Sequence, residues 1–177
     1  MINSCQWGRR LMLRRLCPED RGEWLDLKRV SIELHRPWEP WPESGYRPPD
    51  ASDFQSQLGR DAYLMIRRAD NLLVGQVNFN QLVRGNFESA YLGYWVGQPF
   101  AGQGYATEGV ALAVRHAFKV LRLHRLEANI VPTNLASLKV IQRCGFKKEG
   151  FSPRYLRIAG QWTDHERWAL TVEDWEG

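Results

Sequence analysis

Apolar positions recur along this chain with two different periods, and the switches between them mark its elements. Residues 11–16 (LMLRRL) read as a short strand. From 19 to about 34, Trp24, Leu27, Val30, Ile32 and Leu34 fall roughly at helical spacing, with Pro18 at the entry. The segment 36–49 (RPWEPWPESGYRPP) holds five of the nine prolines and is predicted as a loop. A short helix is expected over 50–59, capped by Asp50 or Ser52. Residues 62–68 and 72–81 read as strands joined by an Asp70-Asn71 turn, and 90–96 as the third strand of that meander. Val110, Val114, Ala117, Phe118 and Leu121 give 106–120 an apolar helical stripe. A strand is expected over 125–131, then a helix over 134–144 closed by Gly145 as a left-handed C-cap. Residues 147–157 and 165–171 form a hairpin around Ala159-Gly160. The order is strand, two helices, three strands, helix, strand, helix, two strands. That is a mixed α/β (α+β) single domain, with about four helices flanking one sheet and a parallel step where the helix 106–120 crosses over.

Composition narrows the classes. At 177 residues with 44% hydrophobic content the chain can build one core. No apolar run approaches the ~18 residues of a membrane span, and charges interrupt the N-terminal apolar stretch, so no membrane association and a cytoplasmic location are expected. Three cysteines and four scattered histidines show no ligand spacing, so no metal is expected. The net charge of +4 is mild and its carriers are dispersed. The densest run, Arg9, Arg10, Arg14 and Arg15, reads as a solvated strand or tail, and no direct nucleic-acid binding is expected.

Candidate chemistry sits at 97–106 (GQPFAGQGYA), between a strand and a helix. Glycines there let a ligand approach the backbone closely. The helix that follows presents unpaired N–H groups and a positive dipole end, suited to a phosphate or pyrophosphate. It is not a P-loop, since no Gly-Lys-Ser/Thr follows, and GQGYAT fails the dinucleotide fingerprint.

This segment resembles motif A of the GNAT N-acetyltransferases, Q/R-x-x-G-x-G/A, on Ala101-Gly102-Gln103-Gly104-Tyr105-Ala106, with Ala101 where Gln or Arg is usual. Asn134-Leu-Ala-Ser137 and Cys144-Gly145-Phe146 through Glu149-Gly150 resemble the family's N-x-x-S…GF-x-x-E-G end. Pro37-Trp-Glu-Pro40, Val83-Arg84-Gly85, Tyr91-Leu-Gly-Tyr94, His124-Arg125 and Gly160-Gln-Trp-x-Asp164-His165 are similar to the RimJ/RimL-type branch of ribosomal-protein alanine acetyltransferases, its RimJ side in particular. Residues 1–10 carry none of this, so the domain is expected over 11–177 behind a short extension.

The resemblance implies acetyl-CoA as cosubstrate, no metal, and a V-shaped split between the strands ending near Val96 and Val131. It implies that the backbone at Trp95, Val96 and Gly97 meets the pantetheine arm. The amides of Gly102, Gln103, Gly104, Tyr105, Ala106 and Thr107 would hold the pyrophosphate. An N–H near Val96 would polarise the thioester carbonyl and steady the oxyanion of a tetrahedral intermediate. Ser137 matches the branch's general acid, with Ile141 where many relatives carry a tyrosine. Asn134 is expected both to cap its helix and to touch the cofactor. Glu88, Glu127 and Asp164 are carboxylates to weigh as base or substrate contacts. The loop carrying Trp38, Glu39, Trp41, Glu43 and Tyr46 could receive a peptide and its amino terminus. An α-amine of pKa ~8 is roughly one-tenth neutral at pH 7, whereas a lysine near 10.4 is under a thousandth neutral, which favours N-terminal acetylation. The implied partner is a protein N-terminus, such as a ribosomal protein beginning with Ala or Ser. A small amine such as an antibiotic or polyamine, or a non-catalytic acetyl-CoA-binding or ribosome-assembly role, stays open.

Overall fold

The strand Asp61–Arg67 has no exposed face: its residues 62–66 are at most 3% accessible. A strand buried on both sides needs a layer on each. Tyr63 and Met65 point into one cluster, with Val110, Val114 and Ala117, while Leu64 and Ile66 point into the other, with Trp24, Leu27 and Phe54. The computed structural model describes residues 6–41 and 45–177. In chain order its elements are β1 (Gln6–Trp7), β2 (Leu11–Arg15), α1 (Arg21–Val30), α2 (Ile32–His35), α3 (Ala51–Gln55) and β3 (Asp61–Arg67). There follow β4 (Leu73–Val83), β5 (Ser89–Val96), α4 (Tyr105–Lys119), β6 (Arg125–Ile130), α5 (Leu135–Arg143), β7 (Lys147–Ile158) and β8 (Gln161–Thr171).

One eight-stranded sheet runs in the order β1-β2-β3-β4-β5-β6-β8-β7. α4 packs on one face of it, and α1 with α3 on the other. The predicted stripe of α4 is inward: Val110, Val114, Ala117 and Phe118 are buried. Burying a side chain such as Val or Phe contributes about 1.5–3 kcal/mol. Gly109 lets the helix close on β3, since a Cβ there would lie 2.4 Å from the Met65 sulfur.

Every strand pair is antiparallel except β5–β6. That pair is short: Ser89 opposes Arg125, Ala90 opposes Leu126, Tyr91 opposes Glu127, and the two strands then part. β5 stays with β4 as far as Val96 opposite Gly75, while β6 stays with β8 as far as Ile130 opposite Glu166. Each strand is thus held by its outer neighbour, and the gap between them is the expected V-shaped split.

Three details differ from the sequence pattern. The helix expected over 19–34 is broken at Ser31, whose hydroxyl donates back to Leu27 O at 2.6 Å and accepts from Gln98 N at 2.8 Å. A serine bonding back to the turn before it bends a helix, and here the same hydroxyl ties the bend to the loop after β5. The last strand begins at Gln161 rather than 165, because Ala159 and Gly160 (φ 50° and 77°) make a two-residue turn with both central residues left-handed. Asp164 therefore lies within β8. Ahead of Leu11, β1 pairs with β2, Gln6 opposite Leu13, so the sheet starts within the first ten residues.

Candidate active site

Gly97 N–H donates to Val74 O at 2.8 Å, on the β4 side. Adjacent residues of an antiparallel strand aim their backbone groups to opposite sides, so the N–H and C=O of Val96 face away from β4, into the split. The carbonyl is taken by His35 Nε2 at 2.8 Å. Since a carbonyl only accepts, Nε2 carries the ring proton.

Side chains alternate in the same way. Tyr94 reaches α5, where its hydroxyl lies 2.6 Å from Ser137 Oγ and 3.1 Å from Ser137 O. Burial pushes the Tyr94 phenol well above its ordinary pKa, against the pull of the Ser137 bond. It therefore stays protonated and can donate to the serine. Asn134 caps α5, its Oδ1 accepting from Ser137 N at 3.1 Å. Trp95 points the other way, edge-on to Trp24 (6.1 Å between ring centroids) and His35 (5.4 Å), with Lys28 Nζ 4.9 Å from its ring centroid.

The loop after β5 makes one tight turn, Gln98–Phe100, and then two left-handed glycines, Gly102 and Gly104 (φ 73° and 80°), before α4 begins at Tyr105. Only glycine adopts that conformation without strain. Glu108, in the first turn of α4, faces the sheet and accepts from Arg10 N (2.6 Å), Arg10 Nε (2.9 Å) and Leu11 N (3.0 Å). Burial pushes its pKa up, but these bonds outweigh it and hold the carboxyl below its ordinary value. Arg10 Nη1 also donates to Gln103 O at 2.9 Å. In a trans peptide the N–H points opposite to the C=O, so this bond turns the Gly104 N–H away from Arg10.

Two cavities meet here. The larger, about 700 Å³, runs from the split to the start of α4; Val96, Gly102, Gly104, Ala106 and Thr107 form one wall, and Asn134, Ser137, Lys139 and Arg143 another. Trp38 and Tyr105 also line it. The smaller, about 460 Å³, opens between α1, the proline-rich loop and β4. Its walls include Trp41 and Tyr46, edge to face at 5.5 Å, and the polar positions Gln76, Asn78 and Asn80 of β4. Glu39 and Trp95 line both cavities.

Of the residues singled out in the sequence, most converge on this pair of cavities. Gly97 stands behind the wall, where a Cβ would meet Leu27 at 2.3 Å. The Gln103 side chain turns back to Pro99 O at 2.9 Å. Glu88, Glu127 and Asp164 line neither cavity. Glu88 accepts from Arg84 Nη1 at 3.1 Å, Glu127 from Arg125 Nε at 2.9 Å at the root of the split, and Asp164 from Arg154 N at 2.7 Å in the hairpin. Glu43 lies outside the described residues. Sequence reasoning gave no site role to Tyr94, His35, Lys28 or Arg10: Tyr94 entered only as part of a family motif, and Arg10 was read as part of a solvated basic run. It also passed over Gln76, Asn78 and Asn80, whose alternation along β4 was a readable signal.

A cleft made by two parting parallel strands, with a strand edge free on one side and a helix start at its far end, is built for a long ligand ending in phosphates. A model of the acetyltransferase (GNAT) domain matches residues 10–147, so the chain belongs to the GNAT family and is an acetyl-CoA-dependent N-acetyltransferase. It is 32% identical to the [ribosomal protein uS5]-alanine N-acetyltransferase of Escherichia coli over 94% of this chain and 90% of that one. Mycobacterium smegmatis RimJ, solved with CoA-disulfide, superposes with a TM-score of 0.79 at 28% identity, over 98% of this chain and 92% of that one. The ribosomal-protein-S5-alanine acetyltransferase of Vibrio fischeri shares the fold, with a TM-score of 0.84 at 23% identity over 98% and 100% of the two chains.

The residues present fit acetyl-CoA. The two left-handed glycines leave backbone amides uncovered at the head of α4, and Lys139 and Arg143 bring positive charge to the facing wall. The cosubstrate supplies an acetyl group as a thioester. Among the described residues no cluster of His, Cys, Asp or Glu is placed to hold a metal, and no helix is long and apolar enough to cross a membrane.

Proposed function

We propose that this protein acetylates the N-terminal α-amine of another protein, a ribosomal protein beginning with Ala or Ser. The observation that carries this reading is the character of the smaller cavity. Its charged walls cancel: Lys28 pairs with Glu39, and Arg47 makes two bonds of 2.8 Å to Asp53. A polyamine or aminoglycoside needs an excess of acid around it, and the described walls offer none. The cavity instead presents the amides of Asn78 and Asn80 beside aromatic rings, while Gln76, 1% exposed, stands behind them bonded to Trp24, Gln57 and Asn78. Side-chain amides donate and accept at once, as peptide groups do. The similarity to enzymes named [ribosomal protein uS5]-alanine N-acetyltransferase supports the same acceptor.

In this reading the thioester lies in the split with Val96 N–H facing its carbonyl. The amides of 102–107 hold the pyrophosphate, and Asn134 holds the first turn of α5 in place. Ser137 gives its proton to the departing thiolate and is itself supplied by the Tyr94 hydroxyl. Trp38, Glu39 and Trp41 border the acceptor's path. The test is thiol release from acetyl-CoA with Ala- and Ser-terminated peptides, lysine peptides with blocked termini, polyamines and aminoglycosides. Release with the free-terminus peptides supports the proposal; faster release with a polyamine or an aminoglycoside refutes it.

A further inference from the structure

Acetylating an ammonium group poses a proton problem that Ser137 does not solve. Of the three protons on R–NH3⁺ the amide keeps one. The first must leave before the nitrogen lone pair can attack the thioester carbon. The second leaves once the N–C bond has formed, as the C–S bond breaks. The thiolate regains one proton, and the net product is one proton released to water. The acceptor side therefore needs a proton-taking group at the point where amine and thioester meet.

That point lies where the two cavities join, and Glu39 is the only carboxylate among the described residues that lines both. Its backbone is fixed, with Glu39 O accepting from Ala159 N at the tip of the β7–β8 hairpin, at 3.2 Å. Its Oε1 is engaged by the ammonium of Lys28. Beside it, His35 is 8% exposed. The proton on Nε2 is committed to Val96 O, which leaves Nδ1 as a lone pair, buried and without a hydrogen-bond partner among the described residues, 4.0 Å from Glu39 Oε1. A buried acceptor with nothing to accept is costly. A basic nitrogen left bare beside a carboxylate is a seat for a proton that is absent at rest.

We propose that Glu39 receives the acceptor's ammonium group and takes its proton, and that His35 is the positioning residue that shares this proton through Nδ1. This rests on the acetyl-transfer reading above and deepens it. The shared proton passes on to water, so the pair is free again when the second proton leaves the nitrogen. The His35 ring also ties the pair to the strand residue whose N–H faces the thioester, through the bond to Val96 O. Burial and the Lys28 ammonium keep the imidazole neutral at rest, while Glu39 works in the opposite direction. These are the charged groups that face it, Lys28 from α1 and Glu39 from the loop after α2.

Glu39→Gln removes the carboxylate at constant shape. His35→Gln keeps an N–H donor for Val96 O but has no basic nitrogen, and Glu39→Asp restores an acid. The wild type is first given the panel of amines, and the variants are compared on whichever amine it turns over. E39Q is expected to lose about a hundredfold in kcat/KM at pH 7, on the typical contribution of a base. The loss should shrink as pH rises past the amine's own pKa, and E39D should recover part of it. H35Q is expected to lose about tenfold, with its acid limb moved. CoA affinity by calorimetry should stay within about twofold in all three variants. Histidine NMR should show one ring, absent in H35Q, whose titration moves to lower pH on adding an N-terminal peptide without acetyl-CoA, because the peptide's ammonium brings positive charge beside the ring and occupies Glu39. Wild-type pH profiles in E39Q and H35Q, or an equal loss at every pH, overturn the dyad alone. A wild type that releases thiol with no amine overturns this and the acetyl-transfer reading together.

Discussion

His116 puts the packing of α4 against the sheet to a sharp test. It sits on α4 at 1% exposure, 4.6 Å between ring centroids from Tyr63 and 6.1 Å from Phe79, with neither ring nitrogen bonded to any described residue. Burial, reinforced by the Arg15 charge and only partly offset by Asp61, pushes its pKa down from 6.5 to about 4. The sign follows from which state binds more protons. Between these two values the unfolded chain is protonated and the folded chain is not, so stability rises with pH. The contribution is fully present above pH 6.5 and is lost as pH falls towards 4. A drop of that size is worth about 3 kcal/mol in all, of which roughly 2 kcal/mol is gone by pH 5. For a chain of this length about 3 kcal/mol corresponds to roughly 6–12 °C in Tm. Native carboxylates lose stability in the same range, so the readout is the difference between wild type and His116→Leu, melted in parallel from pH 8 to pH 4. Leucine should match or exceed the wild-type Tm at pH 8, since it buries no unpaired nitrogen, and should fall less on acidification. Parallel curves would show that His116 is hydrated or bonded in the folded protein and that the packing described for α4 is wrong.

The remaining expectations concern the site. Gly104→Val forces a branched residue into φ 80° at the head of α4, and CoA binding measured by calorimetry should be lost while the fold persists by circular dichroism. Ser137→Ala should lower turnover about tenfold or more with CoA affinity nearly intact. Tyr94→Phe should fall by a smaller factor, because it removes the donor behind the serine and leaves the serine hydroxyl; equal losses would make the tyrosine the direct donor. Arg10→Ala should weaken CoA binding severalfold without touching kcat, because it frees the Gln103 carbonyl that orients the Gly104 amide. Unchanged affinity would separate Arg10 from the loop.

Features set by near neighbours in the chain were legible in the sequence. The two left-handed glycines, the Asn134 cap and the Ala159-Gly160 turn each depend on a few consecutive residues, and each was visible. The period of the apolar positions gave β3, α4 and α5 to within a residue or two, because burial on one face or both follows directly from the pattern. What escaped depends on partners far along the chain. Ser31 breaks a helix by binding Gln98, and Arg10 supports a loop 93 residues away. The resemblance set Ile141, which is core in this protein, where many relatives carry a tyrosine; the tyrosine that meets Ser137 comes from the strand instead, as Tyr94. Glu39 was noticed among its tryptophans, but His35 and Lys28 had no local feature to set them apart, since their meaning comes from being folded against Trp95 and Val96. The Gln76-Asn78-Asn80 alternation is the one signal that was present in the sequence and passed over, a polar row on a strand whose apolar positions 73, 74, 77 and 79 are buried.

The most direct test of the central claim is to find where the acetyl group goes. A peptide with a free alanine terminus and a single internal lysine is incubated with the protein and acetyl-CoA, and the product is fragmented by mass spectrometry. One acetyl group on the terminal nitrogen, with the lysine unmodified, is the expected result. Acetyl on the lysine side chain, or an untouched peptide beside an acetylated polyamine, would contradict it.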